Sequence, residues 1–488
     1  MSLINRLGKA SIVYTITNIL QQGINFLLLP LYTRYLTPND YGIFAVVASI
    51  NGFLSIFFTL ALDGSMTRFY FDYREKPEKL KSFWGTIITF LLIISIIFGC
   101  LLLAFGEVLL KPAIGNIPFF PFVALGISAL IFQPIFTIYL SLLQTQEKPG
   151  LYAAFSLTQF IFSLILTIAM VVFQNRGATG ALTARLISVF IFFMASIYLL
   201  RNQIKIGINK LDLKQALMYS LPLVPHTLSG QLLSITDKIF LNSMVNTTTA
   251  GLYNIAFLLG SVMSIITSSI NRAYVPVSME VLKSENEKQL DELKQIGLFL
   301  VVIYCLLGSG LSLFSQEIIM VMTAEPFWNS YKVMPFIAFN FVATGIYYLL
   351  VNILFYVTSA TKYIAISTGL SAISNILLNW LLIPKYGIAG AAIATLFSQI
   401  ISTIFTGIVG NKYEKVSWNY LKFIFLFFVS ISTCSIFIYY INLVNMQMIV
   451  LKILVVLILF IMLNFIAWNE PLYLARHGMF FIKKMRII

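Results

Sequence analysis

The chain has 488 residues, of which 59% are apolar and only 10% charged, and 32 Lys and Arg against 18 Asp and Glu give a net charge of +14. Ordinary soluble domains carry about 25% charged residues, so this composition excludes a soluble fold. A transmembrane β-barrel would show short segments of alternating polarity, whereas the apolar runs at 83–105 and 423–441 are continuous.

Lipid offers no partner for a bare N–H or C=O, so spanning helices remain. At roughly 20 apolar residues per crossing, the sequence predicts an all-α integral membrane protein with about fourteen transmembrane helices. They fall at residues 10–31, 41–62, 83–105, 118–143, 150–173, 178–200, 216–244, 250–274, 295–316, 330–357, 363–383, 388–410, 419–441 and 447–468. The first span carries Asn18, Gln21, Gln22 and Asn25 and is too long for a signal peptide, so it is expected to stay as a helix. Arg68 follows the second span, Arg185 lies about two turns into the sixth, and Arg272 ends the eighth. The seventh holds Pro222, Pro225, His226, Asp237 and Lys238. The charged segment 280–294 is expected to form a helix joining the eighth and ninth spans.

The loops orient the chain. One alternating set of segments, which includes both termini, holds 24 Lys and Arg, and the other set holds 5. The positive-inside rule then places both termini in the cytoplasm. Basic loops that fix orientation account for the positive charge, and no soluble domain is present to bind nucleic acid.

The chain also repeats itself. Gly177-Ala178-Thr179-Gly180-Ala181 resembles Gly387-Ile388-Ala389-Gly390-Ala391, and Tyr41-Gly42-Ile43-Phe44 resembles Ala250-Gly251-Leu252-Tyr253. Each pair is six spans apart, which implies two pseudo-symmetric six-helix bundles in parallel orientation. The division is a lobe at 1–205, a lobe at 206–412, and two extra helices with a basic tail at 413–488. Small residues at these helix starts permit close helix approach. Two bundles rocking about a site at their seam is a common transporter plan.

Ionisable groups within a bilayer are costly, which singles out Arg185, Asp237 and Lys238. Arg185 is either a cavity cation for an anionic substrate or a residue that snorkels or pairs with a carboxylate. Asp237 and Lys238 point about 100° apart, so one can line a cavity while the other reaches the interface, or both are anchors. Arg68 and Arg272 could form a basic mouth for phosphate, which the planar guanidinium fork matches; ordinary positive-inside anchoring is the other reading. Pro222 and Pro225 bend the seventh span, a plausible gate, and His226 beside them either titrates or packs as a polar residue. Cys100, Cys305 and Cys434 stand singly. With two histidines, no metal-ligand spacing and no phosphate-cradling glycine loop, no catalysis, metal or cofactor is expected.

The run LPLYTRYLTPNDYGIF at 29–44 resembles the start of bacterial O-antigen and capsule flippases of the Wzx type. So do LPLVPH at 221–226, Thr236-Asp237-Lys238, Ala250-Gly251-Leu252-Tyr253 and YGIAGAA at 386–392. That family belongs to the multidrug, oligosaccharidyl-lipid and polysaccharide exporter superfamily. The resemblance implies two six-helix lobes, a V-shaped cavity and two extra C-terminal helices. It also implies an alternating-access flippase of the cytoplasmic (inner) membrane that moves undecaprenyl-diphosphate-linked oligosaccharide to the outer leaflet, with ion coupling. Implied partners are the lipid-linked oligosaccharide, membrane lipid, and polysaccharide polymerase and chain-length proteins. Relatives that flip the peptidoglycan precursor line the first lobe with several arginines. The first span here offers Gln21, Gln22 and Asn25, which suit sugar hydroxyls or interhelical bonds, so polysaccharide repeat units are the expected cargo. The competing readings are a cation-coupled multidrug exporter, for which Asp63 is the one first-lobe candidate for the coupling acid, and a membrane glycan polymerase or ligase, which would need a large outer loop.

Overall fold

The structure, a computed structural model, describes residues 3–284, 286–413, 416–440, 446–470 and 473; the basic tail expected beyond them lies outside the described residues. Helices make up the fold, and no strand occurs among the described residues. Contacts divide the chain into two compact units, Met1–Gly251 and Leu252–Ile488. The boundary expected at 205/206 rests on internal similarity, a separate criterion.

The first unit contains α1 (Leu3–Leu27), α2 (Leu29–Tyr35), α3 (Pro38–Thr59), α4 (Leu62–Tyr73), α5 (Pro77–Leu109), α6 (Lys111–Ile114), α7 (Ala124–Thr145), α8 (Pro149–Ile168), α9 (Gly177–Leu200), α10 (Lys210–Ser220), α11 (Val224–Met244) and the start of α12 (Thr247–Gly260). Thr37 and Asp40 start α3 with a reciprocal capping box: the Thr37 hydroxyl accepts from the Asp40 N–H at 3.1 Å and the carboxylate accepts from the Thr37 N–H at 3.2 Å. The same carboxylate accepts from the Ala178 N–H at 3.2 Å, so one negative charge serves the N-termini of α3 and α9. Leu60 and Ala61 end α3 in left-handed backbone (φ 49° and 52°), a conformation costing a non-glycine residue about 1–2 kcal/mol.

Gly42 and Gly251, related by the internal repeat, abut within this unit. A Cβ on Gly42 would run into the Thr247 carbonyl, and one on Gly251 into the carbonyl of Pro38 and the Gly42 amide. Backbone cannot swing aside as a side chain can. Gly42→Ala and Gly251→Ala are each expected to destabilise the purified protein by about 1–3 kcal/mol, read as a lowered unfolding temperature in detergent; unchanged melting would mean that α12 can separate from α3 at no cost.

The second unit continues α12 and adds α13 (Val262–Ser284), α14 (Glu287–Leu313), α15 (Ser315–Met322), α16 (Met334–Tyr356), α17 (Lys362–Asn411), α18 (Tyr420–Tyr440) and α19 (Met446–Trp468). A straight 50-residue helix would be about 75 Å long. Yet the Ser367 hydroxyl lies 2.8 Å from those of Ser402 and Thr406, and the Asn375 amide donates to Thr395 at 3.2 Å. The element is therefore a hairpin of two helices that turns at Gly387, where φ is +54°. Gly177 begins α9 with φ +52°, a Cβ on Gly390 would strike the Leu382 carbonyl, and one on Gly180 would crowd the Arg176 Cβ and the Met170 carbonyl. The repeat seen in the sequence is thus one tight helix-to-helix turn built twice.

Eleven helices among the described residues are long and apolar enough to cross a membrane, counting the hairpin once. Their total is below fourteen because the hairpin holds two expected spans and because α1 and α11 are too polar to qualify. Two expectations need correction. The span at 216–244 is not one bent helix: α10 ends at Ser220, Leu221–Leu223 form a 3-10 turn, and α11 begins at Val224. Pro225 sits in the first turn of α11, where a missing N–H costs nothing. Nor is 280–294 a separate helix. Asn286 interrupts it, its side chain accepting from the Lys288 and Gln289 N–H groups at 3.0 and 3.4 Å, so the segment is the end of α13 and the capped start of α14.

Candidate functional site

The first unit carries a polar seam across four helices. On α9, Arg185 and Ser188 stand three residues apart and share a face. The Arg185 guanidinium donates to Gln133 Oε1 of α7 at 3.3 Å. Gln159 of α8 donates to the Ser188 hydroxyl at 3.2 Å. One turn earlier on α8, Ser156 receives the Gln21 amide of α1, at 2.8 Å to the hydroxyl and 3.2 Å to the carbonyl. Side-chain amides and hydroxyls placed this way satisfy one another in lipid, where no water replaces a lost bond.

Arg185 is the cation of this seam. It is partly buried and, among the described residues, forms no ion pair. A guanidinium has five N–H donors, and one long bond to a neutral amide leaves the rest and the whole charge available. Lys452, by contrast, is buried with Glu317 as its carboxylate partner. The reading of Arg185 as paired with a carboxylate therefore finds no carboxylate among the described residues.

The remaining expected residues lie on several elements. Asp237 is buried, at 3% exposure, and Lys238 partly buried. Both have interaction partners, and their helix, α11, packs on α3, as α9 does. Arg68 is exposed and spent locally: it pairs with Asp72 one turn on, at 2.8 Å, and lies 5.9 Å from the centre of the Phe69 ring. Arg272 belongs to the second unit, on α13, and is exposed. Gln22 and Asn25 are exposed on α1, and the seam takes its neighbour Gln21 instead. Pro222 and Pro225 are exposed at the α10–α11 break; the side chain of His226 lies outside the described residues.

Gln133, Ser156, Gln159 and Ser188 were not singled out as site residues from the sequence. The signal available was an isolated amide or hydroxyl at helical spacing in an apolar run, which many packed helices share. Two further sets of contacts fix elements. Lys79 of α5 holds the buried carboxylate of Asp212, seating α10. Asn242 of α11 donates to the carbonyls of Ala113 and Ile114 at 3.2 and 2.8 Å and accepts from Thr247 at 2.8 Å, tying α11 to α6 and to the start of α12.

Known proteins place this architecture. The family model described as polysaccharide biosynthesis protein matches residues 7–282, more than half of the chain. Lsg locus putative protein 1 of Haemophilus influenzae is 24% identical over 409 residues, covering 83% of this chain and 94% of that protein. Among solved structures, the lipid II flippase MurJ in an inward closed conformation has a TM-score of 0.68 at 17% identity, over 94% of this chain and 98% of that one. An inward-facing multidrug resistance MATE family transporter of the MOP superfamily has a TM-score of 0.63 at 13% identity, over 83% and 97%. At such identities the structural likeness is one of fold, a multi-pass helical architecture. The chain itself belongs to the polysaccharide biosynthesis protein family.

Proposed function

We propose that this protein is a flippase that carries undecaprenyl-diphosphate-linked oligosaccharide repeat units from the cytoplasmic to the outer leaflet of a bacterial inner membrane, by alternating access of its two halves and with ion coupling. The observation that carries the reading is Arg185, a partly buried guanidinium that among the described residues bonds only a neutral amide, on a seam of amides and hydroxyls. An unpaired cation within a bilayer is expensive. A diphosphate would repay that cost, since the guanidinium fork bonds two phosphate oxygens at once. The amides and hydroxyls of the same seam match sugar hydroxyls. Membership in the polysaccharide biosynthesis family and the fold shared with MurJ support a lipid-linked glycan as cargo.

The test removes the protein from cells that make the glycan. Lipid-linked repeat units should then accumulate, and a lectin added to spheroplasts should fail to reach them until the protein is restored. Full lectin access in its absence would overturn the reading, and altered resistance to cationic drugs with normal glycan export would favour a multidrug exporter instead.

A further inference from the structure

A second polar site lies in the second unit, where the start of α14, the start of α18 and the end of α19 converge. They enclose a cavity of about 350 Å³, at the small end of ligand pockets. Its wall carries Lys294, Gln295, Asn419, Lys422, Trp468 and Asn469, and no carboxylate among the described residues lines it.

The hydrogen bonds of the wall decide its character. Asn419 caps α18, its Oδ1 accepting from the Lys422 N–H at 3.2 Å. Gln295 Oε1 accepts from the Trp468 indole at 3.1 Å. The Ala467 carbonyl, one of the last-turn carbonyls of α19 that lack a helical partner, accepts from the Lys422 ammonium at 2.6 Å. The side-chain oxygens of Asn419 and Gln295 and the Ala467 carbonyl are thereby engaged from within, while donors remain. An ammonium has three N–H groups. Lys422 spends one on Ala467, and Lys294 spends one on the Ser417 hydroxyl at 3.3 Å. The amide NH2 groups of Asn419 and Gln295 also remain. Two positive charges and a surplus of donors, with no carboxylate among the described residues lining the cavity, specify an anion.

The position specifies which anion. The first two turns of α14 are charged and its remainder apolar, so Lys294 marks the membrane–water boundary. Trp468 and Lys422 are residue types that settle at that level. Leu298 and Phe423 form an apolar floor toward the hydrocarbon. We propose that this cavity binds a phosphate-bearing anion, Lys294 and Lys422 holding the phosphate oxygens, and that an anionic phospholipid of the bilayer supplies it. The site is separate from the Arg185 seam and does not depend on what the protein transports.

The experiment uses the full-length protein in mixed micelles, with retained lipid read by native mass spectrometry and stability by thermal unfolding. Phosphatidylglycerol should be retained and protective where phosphatidylcholine is not. Lys294→Gln should weaken phosphatidylglycerol binding about tenfold, the worth of one hydrogen bond to a charged group. Lys422→Arg, which keeps the charge and the bond to Ala467, should bind as the parent does. Saturable protection by inorganic phosphate, with no preference between the two lipids, would uphold the anion site and assign it to a soluble phosphate compound. Equal retention of both lipids without any phosphate effect, or undiminished binding by Lys294→Gln, would overturn the proposal.

Discussion

Arg185→Ala is expected to cut delivery of the glycan to the cell surface about a hundredfold while leaving the amount of protein in the membrane unchanged. The size follows from what the alanine removes. A hydrogen bond to a charged group contributes about 1.5–3 kcal/mol, a fork on two phosphate oxygens makes two, and each 1.4 kcal/mol is a factor of ten. Protein level should hold because among the described residues Arg185 makes one long bond, to Gln133 at 3.3 Å, and pairs with no carboxylate that its loss would strand. Arg185→Lys keeps the charge but not the planar fork, so about a tenfold loss is expected. Gln133→Ala, which removes a neutral partner and leaves the guanidinium in place, should change delivery less than either. Surface glycan measured by immunoblot, with membrane protein quantified in parallel, separates these cases. Normal glycan in Arg185→Ala would take this residue out of the transport path, and Lys238→Ala would then be the variant to read.

The second large effect concerns stability. Lys452 of α19 donates to both carboxylate oxygens of Glu317 of α15, at 2.6 and 2.7 Å, with the lysine side chain 2% exposed and the glutamate 16%. Removing one partner of a buried pair leaves an uncompensated charge, at a cost of about 3–5 kcal/mol. Lys452→Met should lower the unfolding temperature sharply, and Glu317→Gln should do the same by stranding the ammonium. Joining Lys452→Met to Glu317→Leu removes both charges, and replacing a buried pair with apolar residues is often neutral, so the double variant should recover most of the loss. Such a cycle reads the coupling directly. If the single variants melt with the parent, the pair is not what binds α19 to this part of the unit.

Much of the fold was legible because lipid simplifies the problem. An apolar run of the right length has few alternatives to a spanning helix, and 83–105 or 447–468 could be little else. The turn glycines were legible too. Gly177 and Gly387 take positive φ, and Gly180 and Gly390 pack against main chain, demands that side chains rarely meet, so the residue type survives at both sites and the repeat shows. The break at α10–α11 was misjudged as a bend because a proline pair announces a broken hydrogen-bond ladder without saying whether the chain continues through it.

The candidate site was less legible. Arg185 stood out since a charge inside a spanning run is costly on any account. The seam around it did not, because Gln133, Gln159, Ser156 and Gln21 are unremarkable one at a time. The basic mouth expected of Arg68 and Arg272 failed to foresee Asp72, whose carboxylate takes the Arg68 charge one turn away.

The sequence by itself determined that this is a helical membrane protein built from a repeated unit, since composition and periodicity act along the chain and the bilayer reads them locally. Only the tertiary structure decided which polar groups meet. Gln21 finds Ser156 across 135 residues, and Lys452 finds Glu317 across the same distance. A polar side chain in hydrocarbon must be partnered, but that requirement names no partner: helix packing brings the two within 3 Å, and packing depends on every apolar residue between them.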